Sequence, residues 1–445
     1  MNSSLLLKLF ILVLVISLYS KFISCEDWTQ LQFDVQRTGY SPEQVNTPTT
    51  VSWRWNTDQA TAVKIAPMVQ PIVGSNLVFI GDINGKMHAL NINNGSEVWS
   101  YQTGGPILHT AGYSGGQLFF GSHDKYVYAL NASDGKLNWR FKTGEGIWTA
   151  PLIYNNKVYV TSRDKYCYCL NALNGDLIWS YQTGGPIYNS PACATDENTI
   201  FFGSEDMYMY ALDMSSGTLK WKTKCTGISF RDYWPVVSEK HDVVMIRTRH
   251  VLPFHDAIGQ SGTFHALSTI NGSVKFTANI TYTGGTGGTP TPPVLNGTSS
   301  QADTAYVISR GAYMSTPYIA EMNLTNGSFV WEVQANNGDD FRLVGDESSS
   351  LSIAGNNLYI SMTQALGGWT MPGSTGFHCA HEIEDGYEGY RYKPDNLAVF
   401  FDPVIPIYSS ESGSGHCAPP WAPGVISNGK IFWISDGSGV IAVAP

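Results

Sequence analysis

A chain of 445 residues in which 14% are charged and 13% aromatic has the composition of a well-buried, β-rich protein and not of a disordered one. Its net charge of -10 leaves no basic stripe with which to neutralise phosphates, which argues against nucleic acid as a partner. The length would ordinarily imply two or three domains, but a closed ring of repeats can absorb all of it.

At the N-terminus, Lys8 precedes an apolar run from Leu9 to Tyr19, the length of a signal-peptide core and short of the roughly 20 residues of a membrane span. Residues 1–25 are therefore expected to be a signal cleaved after Cys25, with an uncleaved anchor as the alternative. Residues 26–50 read as a lead-in and 51–445 as the folded part, with no later segment apolar enough to span a membrane. Beyond the signal remain Cys167, Cys169, Cys193, Cys225, Cys379 and Cys417, an even set that reads by default as disulfides in an oxidising compartment. Acceptor sequons for glycosylation begin at Asn94, Asn131, Asn271, Asn279, Asn296, Asn323 and Asn326 and agree with a secreted or secretory-lumen location.

An internal repeat then dominates the chain. Trp99, Trp139, Trp179 and Trp221 recur at intervals of 40, 40 and 42, each four residues after a glycine: Gly95, Gly135, Gly175 and Gly217. Within a unit, short aromatic or β-branched runs alternate with Asn, Asp and Gly turns every 8 to 12 residues, the pattern of an antiparallel meander. A four-stranded sheet of about 40 residues cannot bury both faces alone, so copies must stack, and radial stacking into a propeller leaves few open edges. Later copies stretch. Ala266 to Phe276 puts Phe where Trp stood, Glu321 to Trp331 keeps the Trp, and strands at Lys430 to Ser435 and Gly439 to Val443 lack a docking tryptophan that Trp53 and Trp55 can supply. The expected fold is an all-β, eight-bladed propeller of four-stranded antiparallel blades closed by the N-terminal strand, with seven blades as the alternative.

The unit, Ala or Cys, Leu, Asn or Asp, three residues, Gly, three residues, Trp, resembles the tryptophan-docking repeat of the quinoprotein propellers, whose best-known members bind pyrroloquinoline quinone (PQQ). The lead-in, with Asp27 Trp28, Phe33 Asp34 and Arg37 Thr38 Gly39 Tyr40, looks like the segment that precedes these repeats in many bacterial proteins. The resemblance implies that Trp99, Trp139, Trp179, Trp221 and Trp331 are interblade staples. It also brings two functional readings. The first is a non-catalytic, monomeric binding or scaffold protein, similar in architecture to the propeller subunit of the bacterial outer-membrane assembly machinery, with a protein or glycan partner. The second is an alcohol or sugar oxidoreductase holding PQQ and calcium. No family catalytic residue can be placed on this sequence position by position.

Three insertions, at 247–261, 309–317 and 363–394, align with the hairpin between the second and third strands and are expected to crowd one face of the ring. Six of the seven sequons fall on turns of the other face. Long loops on a rigid scaffold are where binding usually resides, so the inserted face is the candidate functional surface. Within the last insertion and just beyond it, Cys379 and Cys417 are a candidate disulfide that would tie down a long glycine-rich loop. His378, His381, Glu382, Glu384 and His416 offer metal-ligand types without a recognised spacing. Asn84, Asp124, Asp164 and Asp206 recur as turn residues, since Asx side chains bond their own backbone in hairpins. His88, His109 and His265 lie inside the repeat and read as structural.

Overall fold

The repeat unit explains its own geometry. In the second unit, Gln117–Gly121 and Tyr126–Asn131 are buried on both faces and pair antiparallel, while Leu137–Lys142 alternates exposed and covered residues as an outer strand does. Ala129 stands opposite Trp139, as Ala89, Cys169 and Ala211 stand opposite Trp99, Trp179 and Trp221. A small residue there lets the indole lie against the sheet. The register skips one residue just after this pair in each case, a bulge that increases the local twist.

The computed structural model describes residues 27–43, 50–56, 65–66, 68–231, 234–248, 264–278, 280, 292–310, 317–334, 351–355, 357–361, 424–435 and 439–444, with strand residues 365–367, 370–371, 390–391 and 405–406. They form eight sheets of four antiparallel strands, one of which Tyr40–Ser41 extends by parallel pairing with Ile353–Ala354, and a separate two-stranded ribbon of Thr370–Met371 with Tyr390–Arg391. In chain order the blades are 72–102, 112–142, 152–182, 192–224, 236–276, 294–334, 351–406 and 425–444. The eighth takes its outer strand from Thr50–Trp55, which pairs with Gly439–Ala444. The eight-bladed count therefore holds over the seven-bladed alternative. The core lies between blades: Phe119, Val127 and Trp139 of the second meet Ile153, Val158 and Val160 of the third, each such buried side chain contributing about 1.5–3 kcal/mol.

The tryptophans act across the blade boundary. Trp99 donates Nε1–H to the Ala132 carbonyl at 2.9 Å, Trp139 to Ala172 at 2.9 Å, Trp179 to Met214 at 3.0 Å and Trp221 to Thr269 at 2.7 Å. Each indole also lies under the turn glycine of the next blade. A Cβ on Gly135, which holds φ at +68°, would sit 2.6 Å from the Trp99 ring, so the turn requires glycine both sterically and conformationally. Trp53 makes the same contact from the eighth blade to the first, donating to Ile92 O at 2.9 Å beneath Gly95. Trp331 differs: its Nε1 bonds Glu321 of its own blade.

Two insertions, at 247–261 and 309–317, do connect second to third strands, Val243–Arg247 to Phe264–Ser268 and Thr304–Arg310 to Pro317–Asn323. The third does not. Ala365–Gly367 already pairs with the second strand Asn357–Ser361, and Ile405–Pro406 follows as the fourth. The excursion therefore leaves between the third and fourth strands, and the expectation that all three insertions share one face is corrected to two.

The default reading of paired cysteines also fails for four of the six. Cys167, Cys169, Cys193 and Cys225 are buried free thiols. Cys169 takes the small-residue position opposite Trp179, and Cys167 and Cys169 pack with Cys193 in one apolar cluster. Burial pushes the thiols of Cys169 and Cys225 up to about 12, so they behave as small hydrophobes.

Candidate functional site

Because neighbouring strands run in opposite directions, turns between first and second and between third and fourth strands open on one face. Second-to-third hairpins and the linkers between blades open on the other. The lead-in seals the channel on the first of these faces. Its backbone accepts from successive inner strands: Trp28 O from Val73 N at 2.8 Å, Thr29 O from Tyr113 N at 2.7 Å, Val35 O from Cys193 N at 2.9 Å, Gln36 O from Val237 N at 3.0 Å, Thr38 O from Leu295 N at 2.9 Å and Gly39 O from Ile353 N at 2.8 Å. The Gln30 amide clasps both backbone groups of Ile153, and Glu43 accepts from Asn428 and Gly429. One segment of 17 residues, 27–43, thus bonds all eight blades in order and pairs inner-strand N–H groups that would otherwise be open.

Behind this seal lie buried polar side chains beside the apolar cluster of Leu31, Ala150 and Trp234. Arg37 is fully buried and donates to the carbonyls of Pro191 at 3.0 Å, Pro151 at 3.1 Å and Leu31 at 2.9 Å. Desolvation lowers its pKa to about 10. His109 accepts from Thr110 N–H on Nδ1 and meets Ser190 Oγ through Nε2 at 3.2 Å. Burial, with the nearby Arg37 charge, pulls its pKa to about 3 and keeps the ring neutral.

Asp34 accepts from the Thr38 amide and hydroxyl, yet burial outweighs these bonds and Arg37 and lifts its carboxyl to about 6. A carboxyl raised in the folded state binds its proton more tightly there than in the unfolded chain. The stability it contributes is therefore complete below the ordinary carboxylate range and is lost as pH rises through about 6. Asp34→Asn is expected to remove that component, worth about 1–3 kcal/mol, so that the variant loses less stability than the parent between about pH 5 and about pH 7.5. Denaturant midpoints at the two pH values read this directly. His109 contributes oppositely in both proteins and cancels.

The rim of the other face is built by linkers and hairpins of the second to fifth blades. Each linker is held down by a repeated device: Asp124 accepts from Gly104 N–H at 2.8 Å and Tyr128 O–H at 2.7 Å, Asp164 from Gly144 at 2.6 Å and Tyr168 at 2.8 Å, Asp206 from Gly184 at 2.8 Å and Tyr210 at 2.5 Å. On these linkers stand Trp148, Tyr188 and Arg231, joined by His123 and Arg163 from the hairpins. Trp148 and Tyr188 meet edge to face at 5.5 Å between centroids. The Arg163 guanidinium lies 5.0 Å and that of Arg231 4.7 Å from the Trp148 ring centre, and both also reach Tyr188. Arg163 bonds His123 Nε2 at 3.0 Å.

None of these five side chains was singled out in the sequence. A signal was present: at the 40-residue spacing, Leu108, Trp148 and Tyr188 are equivalent, as are Ile83, His123 and Arg163, so the units diverge at these two positions while their surroundings repeat. Asp124, Asp164 and Asp206 sit in hairpins and are consumed there. His88 is held between Glu97 at 2.6 Å and Asp82 at 3.2 Å, and His265 bonds Thr226 O. Asn94, Asn271, Asn296 and Asn326 are exposed, and Asn131 and Asn323 half-buried. Asn279, Cys379, Cys417, His378, His381, Glu382, Glu384 and His416 lie outside the described residues.

A quinone with calcium needs a stacking ring, cations for carboxylates, and several oxygen ligands converging on the metal. The rim supplies ring and cations. Its aspartates are used in the hairpins, Glu205 is taken by the Ser229 hydroxyl and Phe230 amide, and among the described residues no three His, Cys, Asp or Glu come together to hold a metal. The described residues therefore do not fit the pair, and no oxidation step is derived from them. Among the same residues, no helix is long and apolar enough to cross a membrane.

The sequence matches the family described as outer membrane protein assembly factor BamB over residues 45–111, 102–192 and 188–373. No curated protein matches it significantly. Among solved structures, BamB from Moraxella catarrhalis is similar with TM-score 0.52 and 18% identity, covering 70% of this chain and 83% of that one. Quinohemoprotein alcohol dehydrogenase from Comamonas testosteroni gives TM-score 0.64 and 13% identity over 94% and 80%, and a europium-containing methanol dehydrogenase 0.56 and 13% over 78% and 84%. At these identities the likeness speaks for the fold alone.

Proposed function

This chain belongs to the family of the outer membrane protein assembly factor BamB, and from that premise we propose that it is a secreted, non-catalytic binding propeller that docks a protein partner at the rim opposite its N-terminal seal. The observation that carries the reading is the rim itself. The channel beneath is closed by residues 27–43, whereas Trp148, Tyr188, Arg163 and Arg231 gather at its mouth. Aromatic residues and arginine are the types that dominate binding energy at protein interfaces. Export and glycosylation belong to the same reading: four of the sequon asparagines are exposed, and Asn94, Asn271 and Asn326 lie on third-to-fourth turns, away from the rim.

The competing reading, an oxidoreductase using PQQ and calcium, has a direct test. Purified mature protein titrated calorimetrically with both, and assayed by dye-coupled oxidation of alcohols and aldoses, is expected to give neither saturable binding nor turnover. Binding with turnover would replace the scaffold reading by the enzymatic one.

A further inference from the structure

We infer that the Trp148, Tyr188, Arg163 and Arg231 cluster is a carboxylate-binding site that receives an acidic, aromatic-containing peptide segment of the docking partner; this deepens the binding reading above and rests on it. Two guanidinium groups converge on the same two rings, with charge centres 5.0 and 4.7 Å from the Trp148 centroid and 5.8 and 5.0 Å from that of Tyr188. Arg163 has no carboxylate within ion-pair distance among the described residues; its neighbour, His123 Nε2, supplies an acceptor and not a counter-charge. Two donors in the cluster, Arg163 Nε–H and Trp148 Nε1–H, are buried with no acceptor, although buried donors are nearly always paired.

A ligand that completes this arrangement brings oxygen acceptors and negative charge together. The planar guanidinium fork matches a carboxylate in two parallel bonds. Trp148 and Tyr188 add ring edges for an aromatic neighbour, and Ile228, half exposed on the linker after the fourth blade, adds apolar surface. The net charge of -10 repels an acidic surface at long range, so the fitting partner is a segment inserted at the rim.

The test is fluorescence anisotropy of a labelled, capped peptide of alternating Glu and Phe against the full-length mature protein. Saturable binding is expected, weakened at least about tenfold by Arg163→Gln and partly restored in Arg163→Lys, with the Gln and Phe counterpart failing to bind. Melting of each variant establishes that it is folded; should Arg163→Gln not fold, the Gln counterpart and Arg163→Lys on the parent scaffold carry the comparison. Equal binding of the Gln counterpart, indifference to Arg163→Gln, or displacement by inorganic phosphate at the peptide's own concentration would overturn the proposal. If the peptide fails while a partner still crosslinks at the rim, the carboxylate assignment falls and the docking reading stands.

Discussion

Replacing Arg37 with methionine is expected to lower the unfolding free energy by about 3–9 kcal/mol, because it leaves three buried carbonyls without a donor at about 1–3 kcal/mol each. Those carbonyls are Pro151, Pro191 and Leu31, so the loss couples the third and fourth blades to the lead-in. Methionine fills comparable volume, which keeps the cavity contribution small. Arg37→Lys is expected to fall between, since an ammonium cannot span acceptors in three directions. Denaturant midpoints give the magnitude. Limited proteolysis gives the mechanism: in the methionine variant the first cleavages should move into residues 27–43, because that segment loses its anchor before the blades separate.

Trp139→Ala should cost about 3–5 kcal/mol, the range for truncating a buried aromatic side chain. The indole is 8% exposed, donates to Ala172 O and covers Gly175, whose added Cβ would lie 2.6 Å from its ring. The hole would open between the second and third blades, and neither sheet can move in to fill it while its other neighbours hold it. Trp139→Phe should recover most of the loss and leave about 1 kcal/mol for the missing hydrogen bond. Equilibrium denaturation of the three proteins side by side measures both steps.

The fold was legible because its determinants are local and repeated. Gly135 and Trp139 sit four residues apart in one unit, and the same spacing in successive units sets a period that only blade stacking satisfies. The lead-in could be matched by Arg37 Thr38 Gly39 Tyr40, but its path could not, since its partners lie up to 386 residues away at Gly429. The rim was hidden for a similar reason. Trp148, Arg163, Tyr188 and Arg231 come from successive blades and linkers and meet only when those blades stack, so the spacing marks where the units diverge but not that the divergent side chains come together. The third insertion was misplaced because alignment to the regular unit assumed that the longest segment must replace a hairpin, whereas Ala365–Gly367 pairs first and the excursion follows. The cysteines misled because an even count says nothing of position: Cys169 fills an alanine site.

The central claim, that the chain acts by docking a partner at the rim, is tested most directly by site-specific photo-crosslinking in the producing cells, with the reactive residue placed at Tyr188 on the rim or at Ser133 on the opposite turns. A discrete higher-mass adduct from position 188 and none from 133 is the expected result. Adducts from 133 alone, or from neither position, would contradict the claim.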